Sequence, residues 1–159
     1  MKGKTFIVAE LSANHGHKLE TALESVCAIA ETGVDAVKIQ TYTADTITLD
    51  CDREDFVVGG GTLWDNTKLY DLYKEAYTPW EWQQELKYFA DEVGIDFLST
   101  PFDPTAVDFL EEIGLSFYKI ASFEMVDIPL IEYIASKGKP IIMSTGMASL
   151  QEIEEAVEA

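Results

Sequence analysis

Residues 96–124, DFLSTPFDPTAVDFLEEIGLSFYKIASFE, decide how the rest of the chain reads. Phe97 and Leu98 read as a short buried strand that ends in Ser99 and Thr100. Asp103 then caps a helix with Pro104 at its first position, where no backbone N–H is needed. Gly114 stops that helix. Residues 117–121 form a second strand carrying Lys119 in an otherwise apolar run, and Ser122 and Glu124 follow at its C-terminal end. A lysine inside a buried strand is costly unless an anion meets it. Polar and charged side chains at successive strand ends are what an α/β enzyme needs to build a site.

The same unit recurs on both sides of this stretch. Upstream, TFIVAEL (5–11) reads as an apolar strand, interrupted only by Glu10, and leads through a polar turn into a helix over 19–32. AVKIQT (36–41) is the next strand, with Lys38 and Gln40 on one face and Val37 and Ile39 on the other. Thr78-Pro79-Trp80-Glu81 reads as a capping box opening a helix to Glu92. Downstream, 127–136 is helical, PIIMSTG (140–146) is a strand, and Ser149 with Glu152 forms a second capping box. Each helix ends in glycine, and five residues later the following strand reaches its polar end or its lysine: Gly33 to Lys38, Gly94 to Ser99, Gly114 to Lys119, with Gly138 to Met143 one residue short of Ser144. Five strand–helix units imply parallel pairing. A complete five-stranded doubly wound sheet fits this length. So do the first five units of a (β/α)8 barrel, a fold of about 250 residues. Polar residues at every strand end favour the barrel. Only 42–77, with Gly59-Gly60-Gly61 and Trp64, breaks the rhythm; so long a connection marks a functional or mobile segment, with a short helix expected near its end.

At 159 residues, 47% hydrophobic and 25% charged, the chain is globular. Eleven Lys and Arg against 29 Asp and Glu give −18, which argues against nucleic acid and anionic membranes as partners. No apolar run is long enough to span a bilayer and no signal peptide is evident. Cys27 falls in a helical pattern and Cys51 in a loop, with neither metal spacing nor a disulfide framework, so a reduced cytoplasm is expected.

The candidate chemistry sits at the strand ends: Glu10, Asn14 and His15; Lys38 and Gln40; Ser99 and Thr100; Lys119, Ser122 and Glu124; Ser144 and Thr145. Lys38 and Lys119 each have a bland reading, a partnership with Glu10 or Glu124. Two similarly placed lysines beside hydroxyls read better as a cradle for phosphate or carboxylate. Glu10 serves equally as a neutraliser of Lys38 or as a substrate contact. Asn14 suits a turn for backbone reasons, His17 reads as exposed, and Asp103 as a cap alone. Ser144-Thr145-Gly146 is either a turn or a set of backbone amides for an oxyanion. Trp64, Trp80 and Trp82 read as packing. There is no glycine-rich nucleotide motif and no metal-ligand cluster.

AELSANHG, DAVKIQTYT, LYDLYKEAYTPWEW, FLSTPFDPTAVDFLE, YKIASFE, and KPIIMSTGMAS with EIEEAV together resemble the sialic acid synthase family. TPWEW and YKIASFEMVDIPLI are most similar to its pseudaminic acid synthase branch. The resemblance implies a (β/α)8 barrel, of which residues 1–159 would be the N-terminal part, followed by a small antifreeze-like domain that this chain lacks. It implies condensation of phosphoenolpyruvate with an N-acetylated amino sugar to a nonulosonic acid and phosphate, in a cytoplasmic homodimer using a divalent metal, manganese or magnesium. By motif, Lys38, Thr100, Lys119, Ser122 and Ser144 fall where the family binds phosphoenolpyruvate. Glu10, Gln40 and Glu124 fall where it meets the sugar, and Glu10, Lys38, Lys119 and Glu124 would carry the catalysis. The family's two metal-binding histidines belong to later strands, and His15 and His17 do not match them. A chain ending here is expected to be inactive alone. Alternatives are an N-acetylneuraminate or legionaminic acid synthase, another phosphoenolpyruvate-condensing barrel, or a non-catalytic anion-binding doubly wound module.

Overall fold

A computed structural model describes residues 4–159. Five parallel strands, β1 (Val8–Glu10), β2 (Ala36–Thr41), β3 (Asp96–Pro101), β4 (Tyr118–Ile120) and β5 (Ile141–Met143), pair in strictly sequential order. A doubly wound sheet reverses its order at a switch point. Here nothing reverses, and right-handed crossovers between parallel neighbours put the connecting helices α1 (Leu19–Glu31), α4 (Trp80–Val93), α5 (Pro104–Glu112) and α6 (Ile128–Ala135) on one face. The sheet is therefore the arc of a (β/α)8 barrel.

The other helices are α2 (Ala44–Ile47), α3 (Leu69–Ala76) and α7 (Leu150–Glu158). Packing runs α1 on α4, α5 on α6 and α6 on α7. The core lies between these helices and the sheet, with Val26, Val37, Ile39, Leu86, Leu110, Tyr118 and Ile134 fully buried. Strand alternation sorts the rest. Thr41 and Tyr118 reach helical residues and Ser99 meets Thr41, so Glu10, Lys38, Gln40, Thr100 and Lys119 lie on the opposite, inner face.

The helix boundaries follow the punctuation of the sequence. Asp103 Oδ1 accepts from the N–H groups of Thr105 (2.7 Å) and Ala106, with Pro104 next in line. Ser149 and Glu152 close the expected capping box. Gly94, at φ 81°, turns the chain out of α4 in the left-handed conformation glycine tolerates.

Two expectations fail. The capping box at Thr78 does not form: α4 starts one residue later, at Trp80, and its cap position falls on Pro79, which has no side-chain acceptor. Thr78 is buried and its hydroxyl is taken by His15. The outer strands are also shorter than their apolar runs. Ala36 N–Ile7 O and Leu11 N–Lys38 O extend the β1–β2 pairing by single hydrogen bonds only, and Phe6, Ile7 and Val8 stay exposed at that edge. Residues 42–77 are more ordered than their composition suggests, through α2, α3, a 3-10 turn at Glu54–Phe56 and an antiparallel bridge between Val57 and Lys68.

Candidate active site

The inner-face groups meet at the C-terminal end of the sheet in two linked clusters. In the first, Lys38 Nζ lies 2.6 Å from Glu10 Oε2 and 3.4 Å from Thr100 Oγ1. Register explains this, because Glu10 is directly opposite Lys38, and Thr100 is opposite Gln40, two residues further on. The lysine side chain is only 14% exposed, so its charge is shielded from solvent. Glu10 is thus a partner of Lys38, and at 43% exposure it is also open to a ligand.

In the second cluster Lys119 Nζ donates to Ser144 Oγ at 2.6 Å and to the Ile120 carbonyl. Ser122, two residues past β4, lies beside the loop that follows Ser144: a Cβ added at Gly146 would sit 3.2 Å from Ser122 Oγ. Burial pushes the Lys119 ammonium below its ordinary value, and the like charge of Lys38 pushes the same way, partly offset by Glu124 and Glu10. Two ammonium groups that feel each other this way favour an anion between them. The Ser144 amide is not free for an oxyanion, since it donates to Ile120 O at 3.0 Å.

Glu124 opens a 3-10 turn, Glu124–Val126, just beyond β4. Its Oε2 is buried without a hydrogen-bond partner among the described residues, and burial raises its pKa above the ordinary carboxylate value. An orphaned carboxylate oxygen at a strand end is a place for a ligand donor.

Gln40 stands between two clefts of about 460 and 430 Å³. One is bounded by Ser12, His15, Tyr42, Trp64 and Tyr73, the other by Tyr73, Phe102, Phe123 and Glu124. Neither cleft is lined by the lysines, which lie deeper on the inner face. Tyr42 is buried against Tyr73 at 5.6 Å, and burial pushes its phenol up to about 12.

All eight candidate side chains, Glu10, Lys38, Gln40, Thr100, Lys119, Ser122, Glu124 and Ser144, therefore stand at one end of the sheet. Ser99 does not join them. One residue before Thr100, it faces the helices and meets Thr41 Oγ1 at 2.6 Å, which in turn donates to Gln83 Oε1 at 2.7 Å. Trp80 stacks on Phe109 and Trp82 packs against both histidine rings, as packing requires, but Trp64 is 44% exposed and lines a cleft. Asn14 serves its turn by donating to Leu11 O. His17 is exposed yet lies against Trp82 and Tyr77. Sequence reasoning missed Ser12, whose hydroxyl meets Gln40 Oε1 at 3.2 Å. The one available signal was its position two residues beyond Glu10. Among the described residues no group of three or more His, Cys, Asp or Glu side chains is arranged to hold a metal. Nor is any helix there long and apolar enough to cross a membrane.

The chain is similar to known proteins along nearly its whole length. The chain is 48% identical over 155 residues to a pseudaminic acid synthase of Campylobacter jejuni, covering 98% of this chain and 45% of the relative. It is 36% identical to an N,N'-diacetyllegionaminic acid synthase of Legionella pneumophila, over 96% of this chain and 43% of that protein. The crystal structure of an N-acetylneuraminic acid synthetase from Leptospira borgpetersenii, in complex with citrate, superposes with a TM-score of 0.83 at 31% identity, over 98% of this chain and 50% of that one. The chain thus spans about half the length of the proteins it matches, and its arc corresponds to the N-terminal part of a sialic acid synthase barrel. Residues 25–159 match the model of the NeuB family, and the chain belongs to that family.

Proposed function

We propose that this chain supplies the phosphoenolpyruvate-holding part of a nonulosonic acid synthase, with an N-acetylated amino sugar as acceptor and pseudaminic acid synthase as the specific activity. One observation carries the reading: Lys38 and Lys119, partly buried on the inner face of β2 and β4, the two strands that flank β3, each bonded to a hydroxyl that can also serve a ligand. Phosphoenolpyruvate brings a phosphate and a carboxylate on one small frame. Two fixed ammonium groups with Thr100, Ser122 and Ser144 match that charge and its oxygen acceptors. The 48% identity to a pseudaminic acid synthase supports the branch.

In the reaction so assigned, the methylene carbon of phosphoenolpyruvate attacks the aldehyde carbon of the open-chain sugar. Water adds to the cationic carbon left behind, and its proton neutralises the alkoxide formed from the sugar aldehyde. The carbon–oxygen bond to phosphate then breaks, leaving a 2-keto acid. Lysines already held in strands stabilise the phosphate and carboxylate charges throughout without moving. Gln40, Glu10 and Glu124 hold the sugar. Glu124, destabilised as an anion by burial, gains a donor when a sugar hydroxyl arrives. The divalent cation that the resemblance implies finds no fitting cluster among the described residues, so this chain's part is anchoring and orientation. A cytoplasmic homodimer acting on small molecules, with an antifreeze-like domain after the barrel, completes the reading.

The test is phosphate release by a full-length synthase carrying this chain, given phosphoenolpyruvate with either a diacetamido sugar or a sugar bearing one acetamido group. Sugar-dependent release that favours the diacetamido acceptor is expected. Release with neither sugar would overturn the reading, and preference for the singly substituted one would move the chain to an N-acetylneuraminate synthase.

A further inference from the structure

Ser12 and His17 are non-glycine residues with left-handed backbones in one short turn, at φ 49° and 54°. Such conformations cost free energy and persist only where the surroundings enforce them. The enforcement here comes from His15, which is 1% exposed. Its Nδ1 accepts from the His17 N–H at 3.1 Å, so Nε2 carries the proton and donates to Thr78 Oγ1, also at 3.1 Å. The Thr78 carbonyl takes Gln83 Nε2, and Gln83 Oε1 takes the Thr41 hydroxyl on the back of β2. The turn between β1 and α1 is thereby bolted to α4 and to the strand that carries Gln40.

At the front of this turn Ser12 Oγ donates to Gln40 Oε1 at 3.2 Å. A primary amide can rotate by half a turn with little change of shape, exchanging its donor and acceptor ends. A hydroxyl can donate to Oε1 or accept from Nε2, so Ser12 fixes where the amide sits, and in the arrangement found it occupies Oε1. Gln40 Nε2, for which no hydrogen bond is found among the described residues, is then left as the end that meets whatever enters the clefts beside it. Glycine would relieve the backbone at residue 12 but has no hydroxyl.

We propose that Ser12 is a positioning residue: from a strained turn clamped by buried His15, it anchors the Gln40 amide where its unoccupied nitrogen meets an oxygen of the acceptor sugar. This rests on the synthase reading and names a residue outside the set that the resemblance assigns. It makes the hydroxyl of Ser12, not the shape of the turn, responsible for acceptor affinity.

The test uses Ser12→Gly, Gln40→Ala and the double variant of a full-length synthase carrying this chain, with phosphate release titrated in each substrate. Ser12→Gly relaxes the backbone, so its melting temperature should equal or exceed that of the wild type. Its KM for the sugar should nonetheless rise roughly 3- to 10-fold, the loss of one hydrogen bond, with KM for phosphoenolpyruvate unchanged. In the Gln40→Ala background the same substitution should add nothing, because the amide it orients is gone. A wild-type sugar KM in Ser12→Gly, or an equal effect with and without Gln40, would overturn the proposal while leaving the synthase reading intact. A wild-type enzyme that releases no phosphate would overturn both.

Discussion

Glu124 shows most plainly what a single side chain contributes. Its Oε2 is buried with no partner among the described residues, and its pKa is raised by that burial although Lys119 pulls the other way. If it waits for a sugar hydroxyl, Glu124→Gln should raise the sugar KM by roughly tenfold and leave phosphoenolpyruvate saturation near normal. Initial-rate titration of both substrates distinguishes this from a role in balancing Lys119, which would instead weaken phosphoenolpyruvate. Lys38 and Lys119 were legible as site residues because a charge inside an apolar strand demands an explanation. Ser12 was not, since its partner is 28 residues away and only the β1–β2 register brings the two together. Ser99 misleads for the converse reason. It adjoins Thr100, but one step along a strand changes the face.

Among the elements, helix ends were readable where a side chain has no competing partner. Asp103 and Ser149 cap as their spacing requires. Thr78 fits the same pattern and does something else, because the fold buries it against His15. No local rule reveals that competition. The consequence is a pH dependence. Burial, with the charge of His17 adding to it, lowers the His15 pKa below 6.5. The folded protein therefore prefers the neutral ring, and the unfolded chain binds the extra proton first. Stability should be intact above pH 6.5 and fall as the pH drops below it. Thermal unfolding of a full-length synthase carrying this chain, followed from pH 7.5 to 5, should show that decline, and His15→Gln should flatten it. An unchanged slope in His15→Gln would place the titration elsewhere. The 42–77 segment was the least legible part, because its order comes from turn hydrogen bonds such as those to Asp65 and from the Lys68 ion pairs with Asp50 and Asp52.

At the scale of the molecule, five repeated units were legible from glycine spacing and apolar runs, yet they fitted two folds. Strand order alone separates them, and order is a long-range property. The same order leaves β1 and β5 without a second neighbour among the described residues, with Val8 and Ile142 36% and 42% exposed. Each large apolar side chain left wet forfeits about 1.5–3 kcal/mol, against a domain stability of about 5–15 kcal/mol. Open edges also invite other strands. Residues 1–159 alone should therefore self-associate in light scattering and release no phosphate in a sugar-dependent way; a monomer that turns over would refute this. The central claim remains the paired lysines as the holder of phosphoenolpyruvate. Its most direct test is the KM of Lys119→Ala for each substrate in a full-length synthase carrying this chain. Loss of a charge-assisted contact should raise the phosphoenolpyruvate KM at least about tenfold while the sugar KM stays within about twofold, and an unchanged phosphoenolpyruvate KM would contradict the account.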